Sequence, residues 1–429
     1  MARLKHGRKY WIVAKTFVAA ALIVLLVANL SLGDKRIEER VETLYAVADP
    51  QFRRNMDVML GPALLGGNRA QALLNGDAIF GDMLKAIRGA RRTITFESYI
   101  YWSGEIGAQF TSALVERAKA GVKVHVLFDA LGSGKIDDKA VEEMKAAGVE
   151  VAKCNPWRWN TLATINNRTH RKIMVVDGRI GYTGGVGIAD EWRGNAQDPD
   201  HWRDTHFRLE GPAVAHMQAA FMENWIEVTG HVLQGEAYFP ELGKAGGQVA
   251  QFIVTSPGGG SESMQLMYLL SIAASAKSIQ LSAAYFVPDE VEIRTLVAAV
   301  QRGVRVQIIV PGRETDSPAV RRASRSTWGE LLRAGVEIYE YQPTFFHCKV
   351  MVVDDLWVSV GSTNFDSRSF SVNDEANLNV YDREFAAAQV RIFEDDLKRS
   401  KRISYEEWRN RPWTEKVWEH TMGLFSSQL

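Results

Sequence analysis

A chain of 429 residues is longer than one hydrophobic core usually serves, so two domains or one pseudo-symmetric body is expected. Its 51 lysines and arginines balance its 51 aspartates and glutamates, which excludes a global basic field of the kind that coats nucleic acid. The 2 cysteines, Cys154 and Cys348, form no CxxC and no His/Cys cluster; this excludes a disulfide scaffold or a structural zinc site, and leaves open only a bridge between the pair.

At the amino terminus, Arg3, Lys5, Arg8 and Lys9 precede an apolar run from Tyr10 to Leu32. Lys15 interrupts the run near its start, where a long side chain snorkels to the headgroups, and the stretch is long enough to span a bilayer. The basic residues before the run outnumber Lys35, Arg36 and Arg40 after it, which places the amino terminus in the cytoplasm and the remaining body beyond the membrane. A cleaved signal peptide fits the same start, but no small-x-small cleavage site follows the apolar core, so an uncleaved anchor is the reading adopted.

From Ala70 to about Asn155 helix-like and strand-like stretches alternate. Ala78 through Ile87 has helical spacing, Arg92–Tyr99 alternates with a period of two, a helix is expected from Ile106 to Ala120, and Val122–Phe128 reads as a second strand. A helix near Lys139–Ala147 and a short strand at Val149–Val151 complete a βαβ-rich order. The second half repeats it: Ala276–Leu281 parallels the strand near Ile94, Arg302–Val306 parallels Ala120–Val124, and Ala334–Ile338 parallels Ala147–Val151. A glycine- and proline-rich seam runs from about His231 to Ser263 and includes Pro257-Gly258-Gly259-Gly260.

In each half the next stretch has the same frame, HxKxxxxD. The first copy is His170-Arg171-Lys172-Ile173-Met174-Val175-Val176-Asp177 and the second is His347-Cys348-Lys349-Val350-Met351-Val352-Val353-Asp354. Residues two apart in a strand share a face, so His170 projects with Lys172 and His347 with Lys349. Two such strands facing across a pseudo-twofold axis put two imidazoles and two ammonium groups in one pocket, an inventory suited to a phosphodiester. The lysines neutralise the non-bridging oxygens, one histidine attacks phosphorus, and the other protonates the leaving alkoxide and later deprotonates the incoming hydroxyl. That chemistry requires no metal and no cofactor. Carboxylates are expected to orient the rings, and Asp204 and Glu375 follow their motifs at comparable distances. Asp177 and Asp354 stand where strands end, so capping of turn amides competes with a catalytic role. The glycine turns, with Gly185, Ser362 and Asn364, supply candidate donors to phosphate oxygens. Trp157-Arg158-Trp159 and the tail tryptophans Trp408, Trp413 and Trp418, set among basic residues, suit a water–lipid boundary, although packing on the protein's own domain explains them equally.

These motifs resemble the phospholipase D superfamily, whose signature is HxKxxxxD in two copies, usually followed by GGxN or GSxN. Within it the chain is most similar to bacterial cardiolipin synthases, on Phe96–Tyr101, Thr183-Gly184-Gly185, Ala189–Trp192, Trp202–His206, Ala284–Pro288 and Gly361–Phe370. The resemblance implies an α/β fold of two pseudo-symmetric phospholipase D-like lobes with the active site at their interface, and the apolar run places one N-terminal transmembrane helix before them. The expected division is an anchor at 1–40, a first lobe at 41–232, a linker at 233–262, and a second lobe at 263–429 ending in an amphipathic tail. It further implies His170 as nucleophile, His347 as general acid/base, and Lys172, Lys349 and Asn364 as phosphate ligands. The implied reaction is phosphatidyl transfer between phosphatidylglycerol molecules with release of glycerol, at the bacterial inner membrane, with membrane phospholipids rather than nucleic acid as partners. A hydrolytic phospholipase D, a superfamily nuclease and a membrane-bound pseudoenzyme are the alternatives. The chain departs from the family pattern at Gly187, which stands where the second copy has Asn364, and in showing one apolar span.

Overall fold

The motif strands are near-continuous runs of isoleucine, methionine and valine, a composition that suits strands covered on both faces. The computed structural model describes residues 11, 15–20, 22, 37, 39–43, 45–156, 167–256 and 263–423. It builds these runs into one 16-stranded sheet. Most of the run Tyr10–Leu32, the Trp157-Arg158-Trp159 triplet, the glycine cluster at 257–260 and Leu424-Phe425 lie outside the described residues. Among those described, no helix is long and apolar enough to cross a membrane.

The sheet makes the duplication visible. Outward from the centre, the first half runs Leu65–Leu74, Thr205–Glu210, Ile180–Gly184, Lys172–Val176, Thr93–Ser98, Lys123–Asp129 and Glu150–Cys154. The second runs Gln248–Thr255, Asn373–Tyr381, Trp357–Gly361, Lys349–Val353, Ser278–Ala283, Arg305–Pro311 and Glu337–Tyr341, with Ser400–Ile403 added at its edge. In both halves the inner strands are antiparallel, and the three ending at Cys154 and at Tyr341 are parallel, joined by helical crossovers as the alternating pattern predicts. The halves meet where Leu65 pairs Ala250 and Asn68 pairs Gln248.

Neither central strand announces itself. Leu65–Leu74 reads LGGNRAQALL, polar and glycine-bearing, and Gln248–Thr255 falls within the segment 233–262 expected as linker. Their pairing is settled by what lies around them rather than by their own composition. An apolar layer shared by both halves covers this region, with Ile173, Val175 and Phe207 from one and Phe252, Leu378 and Phe385 from the other. Residues 41–64 also depart from the boundary expected at 41. Val47, Phe52, Met56, Leu60 and Leu64 pack into the second half's core, where Phe52 meets Trp357 edge-on at 5.2 Å. The helix Pro50–Met59 that carries Phe52 is capped by Asp49, whose carboxylate accepts from the Gln51 N–H at 2.8 Å.

The tail docks on its own domain with one face. Trp408 Nε1 donates to the Arg325 carbonyl at 2.7 Å, and buried Glu419 accepts from Arg325 Nε at 2.8 Å and from Arg411. Trp413, Val417 and Trp418 remain exposed on the helix Trp413–Gly423. Cys154 and Cys348 are both free and buried, so no bridge joins them.

Asp177 and Asp354, candidates for chemistry in the sequence, serve the scaffold. The Asp177 carboxylate accepts from the backbone N–H groups of Arg91, Arg92 and Thr93 at 2.9, 2.7 and 3.0 Å. Asp354 repeats this with Ala276, Lys277 and Ser278 at 2.8, 2.7 and 3.0 Å. Both lie in the left-handed region, φ +53 and +54, at the strand ends opposite the lysines. They hold the amides that lead into the neighbouring strand rather than those of their own turn. Asp354→Ala is expected to destabilise the protein by about 2–3 kcal/mol through loss of these charge-assisted bonds. Denaturant unfolding followed alongside turnover checks this: a fall in kcat with unchanged stability would return Asp354 to the reacting site.

Candidate active site

Each motif histidine stands two residues before its strand, and the chain just before it is stitched to the opposite half. Arg168–Thr169 pairs with Asn373-Asp374, and the His170 N–H donates to the Asp374 carbonyl at 2.9 Å. In mirror fashion, Arg203 bridges Phe346, and the His347 N–H donates to the Arg203 carbonyl at 2.8 Å. The next residue on each partner segment is a carboxylate. The orienting pairs therefore cross: Nδ1 of His170 donates to Glu375 at 2.9 Å, and Nδ1 of His347 donates to Asp204 at 2.7 Å. An ionised carboxylate only accepts, so Nδ1 carries the proton in both rings and Nε2 is left for chemistry.

Further contacts hold the carboxylates in turn. Ser362 Oγ donates to Glu375 Oε2 at 2.6 Å. Asp204 accepts from Trp192 Nε1 at 2.9 Å and from the Thr205 N–H at 2.7 Å. Gly185, the counterpart of Ser362, admits Asp204 because a Cβ there would lie 2.4 Å from its Oδ1. Ser362, expected at the phosphate, thus bonds Glu375, and Gly185 leaves room for Asp204. Asn364 does line the cavity.

The lysines follow their histidines as the strand period requires. Lys172 Nζ donates to the His170 carbonyl at 2.8 Å, and Lys349 Nζ donates to the His347 carbonyl at 2.9 Å while standing 3.2 Å from His347 Nε2. His170, Lys172 and His347 face a cavity of about 580 Å³. Burial, with the nearby lysines, outweighs the carboxylates and lowers His170 to about 4 and His347 to about 3, so both rings are neutral near pH 7. Burial also lowers Lys172 to about 7, against the pull of Glu375. Desolvation opposes ionisation of Asp204 and Glu375, but their histidines and the lysines prevail and hold both below the usual carboxylate range. The arrangement offers two imidazoles whose Nδ1 atoms are held by carboxylates, with Lys349 Nζ against Nε2 of His347, and no cluster able to hold a metal among the described residues.

A family described as "Cardiolipin synthase, PLD-like domain" matches residues 83–225 and 268–397, one segment in each half of the sheet. The chain belongs to this cardiolipin synthase family of phospholipase D-like proteins. It is an enzyme of the phosphatidyltransferase type. Cardiolipin synthase 1 of Bacillus anthracis is 36% identical over 368 residues, 83% of this chain and 72% of that protein. The cardiolipin synthase of Halalkalibacterium halodurans is 35% identical over 421 residues, 97% of this chain and 83% of that one. The fold is similar to that of a phosphatidylserine synthase from Haemophilus influenzae Rd KW20, with a TM-score of 0.68 at 14% identity, covering 88% of this chain and 99% of that one.

In this cardiolipin synthase family member the two half-sites are unequal. A Cβ at Gly187 would lie 2.7 Å from that of Ile100, so no asparagine fits there and Asn364 has no twin. Around His347 the rings of Trp192, Phe345 and Trp202 stand at 5.4, 5.4 and 5.8 Å, whereas Tyr99 stands at 5.1 Å from His170. These ring contacts escaped the sequence reading, because aromatic residues before a strand or within an unassigned loop carry no periodic signal. Glu375→Gln and Asp204→Asn are each expected to lower kcat by about 10²-fold or more, since each removes the charge that steadies an imidazolium across the interface. Steady-state kinetics with a melting-temperature control checks this; a large loss in only one variant would contradict the crossed arrangement.

Proposed function

We propose that the protein transfers a phosphatidyl group from one phosphatidylglycerol to another, making cardiolipin and releasing glycerol. The observation that carries this reading is the crossed pair of carboxylate-oriented histidines facing one cavity. His170 Nε2 attacks phosphorus, and Lys172, Lys349 and Asn364 hold the non-bridging oxygens. The anionic diester, once bound, favours the charged form of the neighbouring imidazole, so His347 takes up the proton it gives to the departing glycerol oxygen. His347 then removes the proton of the incoming hydroxyl, which displaces His170 from phosphorus. Two in-line displacements retain configuration at phosphorus.

Purified protein given labelled phosphatidylglycerol in detergent is expected to form cardiolipin and glycerol in stoichiometric amounts, and His170→Ala and His347→Ala are expected to form neither. Phosphatidic acid as the sole product would establish hydrolysis instead. The free enzyme needs His170 neutral and Lys172 charged. Because His347, near 3 in the free enzyme, takes up its proton on binding, kcat/KM is expected to fall as pH rises above about 4, where His170 is already neutral, and to fall more steeply above about 7, where Lys172 loses its charge. A flat profile over that range would contradict these roles.

We further propose that residues 1–40 form a single uncleaved anchor with the amino terminus in the cytoplasm and the catalytic body on the outer side of the inner membrane. The basic residues before Tyr10 and the apolar run to Leu32 support it. Alkaline phosphatase fused after the last residue is expected to be active; an active fluorescent fusion in its place would put the body inside the cell.

A further inference from the structure

In both displacements of the transfer reading above, on which this inference rests, the reacting oxygen belongs to a glycerol. It leaves with the donor's headgroup in the first step and arrives with the acceptor's in the second. In each case the adjacent carbon bears a further hydroxyl. His347 carries the proton to and from the reacting oxygen, so a group that recognises the adjacent hydroxyl belongs on the His347 side of the cavity.

Tyr285 stands on that side. Ala283 pairs with Lys349 in antiparallel sense, so two residues further on Tyr285 comes alongside His347. Its backbone is held there by the Phe365 N–H, which donates to the Tyr285 carbonyl at 3.0 Å. The phenol donates to the carboxylate of Asp316, at 2.8 Å from Oδ1 and 2.7 Å from Oδ2, and both side chains line the cavity. One phenol supplies one proton, whereas an ionised carboxylate offers about four acceptor sites, so Asp316 keeps the capacity to accept from a ligand. It is also exposed, and so within a ligand's reach. Protein surrounds it closely enough that desolvation raises its pKa, while the Tyr285 bond and the charge of Lys349 draw it back down.

The other half differs at this point. Ser98 pairs with Lys172 as Ala283 pairs with Lys349, which puts Ile100 where Tyr285 stands, and Ile100 also lines the cavity. The next residues confirm the correspondence, since Tyr101 and Phe286 hold matching parallel pairings with Ile188 and Phe365. An apolar side chain thus flanks His170, and a phenol bonded to a carboxylate flanks His347. Asp366, another carboxylate of the lining, is committed to the short helix Ser367–Ser371, whose Ser369 N–H it accepts at 2.7 Å. The ammonium of Lys349, whose charge Asp316 feels, disfavours a cationic headgroup there, so the pair suits a neutral hydroxyl donor.

We propose that Asp316, oriented by Tyr285, binds the glycerol hydroxyl vicinal to the reacting oxygen and so makes the site prefer a vicinal diol to a simple alcohol. The carboxylate accepts from that hydroxyl and turns the glycerol so that its reacting oxygen meets phosphorus beside His347. In the second displacement that oxygen forms the new P–O bond and its proton passes to His347. The P–N bond to His170 breaks, and its electron pair returns to the imidazole. An alcohol with a single hydroxyl reaches the same phospho-histidine without this contact.

The test measures how one intermediate partitions between two alcohols. Full-length protein in mixed micelles of detergent and phosphatidylglycerol is given labelled glycerol and n-propanol together, and labelled phosphatidylglycerol and phosphatidylpropanol are quantified from the same tube. The alcohols share a carbon skeleton and differ only in their further hydroxyls. In Asp316→Ala the ratio of labelled phosphatidylglycerol to phosphatidylpropanol is expected to fall by about tenfold, as loss of one hydrogen bond to a charged group predicts. Asp316→Asn is expected to recover part of the ratio, because its amide oxygen still accepts, and Tyr285→Phe to lower it by a smaller factor, because the carboxylate remains but is no longer oriented. Phosphatidylpropanol serves as the internal measure of folded enzyme, so a poorly folding variant lowers both products and leaves the ratio readable. Should Asp316→Ala form neither product, Asp316→Asn and Tyr285→Phe carry the same comparison. A ratio unchanged from the parent in every variant that turns over overturns the subsite while leaving the transfer reaction standing. A parent protein that makes neither product overturns the transfer reading and the subsite with it.

Discussion

Two hydrogen bonds that run from one half of the molecule to the other, His170 to Glu375 and His347 to Asp204, are the constraint on which the rest of the structure depends. Each half contributes a histidine and the carboxylate for its partner's histidine, so neither half contains a complete acid–base unit. The exchange is enforced by backbone pairing. Arg168–Thr169 lies along Asn373-Asp374, and Arg203 lies beside Phe346, which delivers each carboxylate to the other half's ring. The junction of Leu65–Leu74 with Gln248–Thr255, with the apolar layer shared across it, keeps these segments in register.

Placing two imidazoles, two amines and two carboxylates in a buried interface is costly, because desolvation disfavours every charged form. The structure offsets this by satisfying the carboxylates from several directions and by leaving the histidines neutral. Asp204 accepts from His347, Trp192 and Thr205, and Glu375 from His170 and Ser362. Asp177 and Asp354 contribute further out, by tying the amides that precede the adjacent strands. What reads as one motif of three polar residues is thus split in two: its histidine and lysine face the cavity end of the strand, and its aspartate secures the far end.

The duplication is faithful in the sheet and broken at the site. Strand order repeats position for position, yet Gly187 stands where the other half has Asn364, and three aromatic rings surround His347 where one meets His170. Ile100 explains the first difference, since it fills the space that an asparagine at 187 would need. A symmetric scaffold carrying unequal half-sites suits a reaction whose two histidines must hold opposite protonation states at the moment of transfer.

Residue order alone was enough to reveal the repeat, the helices and strands of the parallel portion, the two histidine–lysine pairs and the carboxylates Asp204 and Glu375. Those features have local signals: a strand's alternation, a helix's spacing, and a frame of polar residues that returns at a matching place. The crossing of the carboxylates, the bond from Ser362 to Glu375, the binding of Asp177 and Asp354 to the amides of a neighbouring strand, and the aromatic neighbours of His347 emerged only in three dimensions. The same holds for the central strands Leu65–Leu74 and Gln248–Thr255 and for the docking of residues 41–64 on the second half. The physical reason is common to all of them. Each depends on a partner distant in sequence, and a partner chosen by packing and hydrogen bonding across an interface leaves no mark in the spacing of either segment.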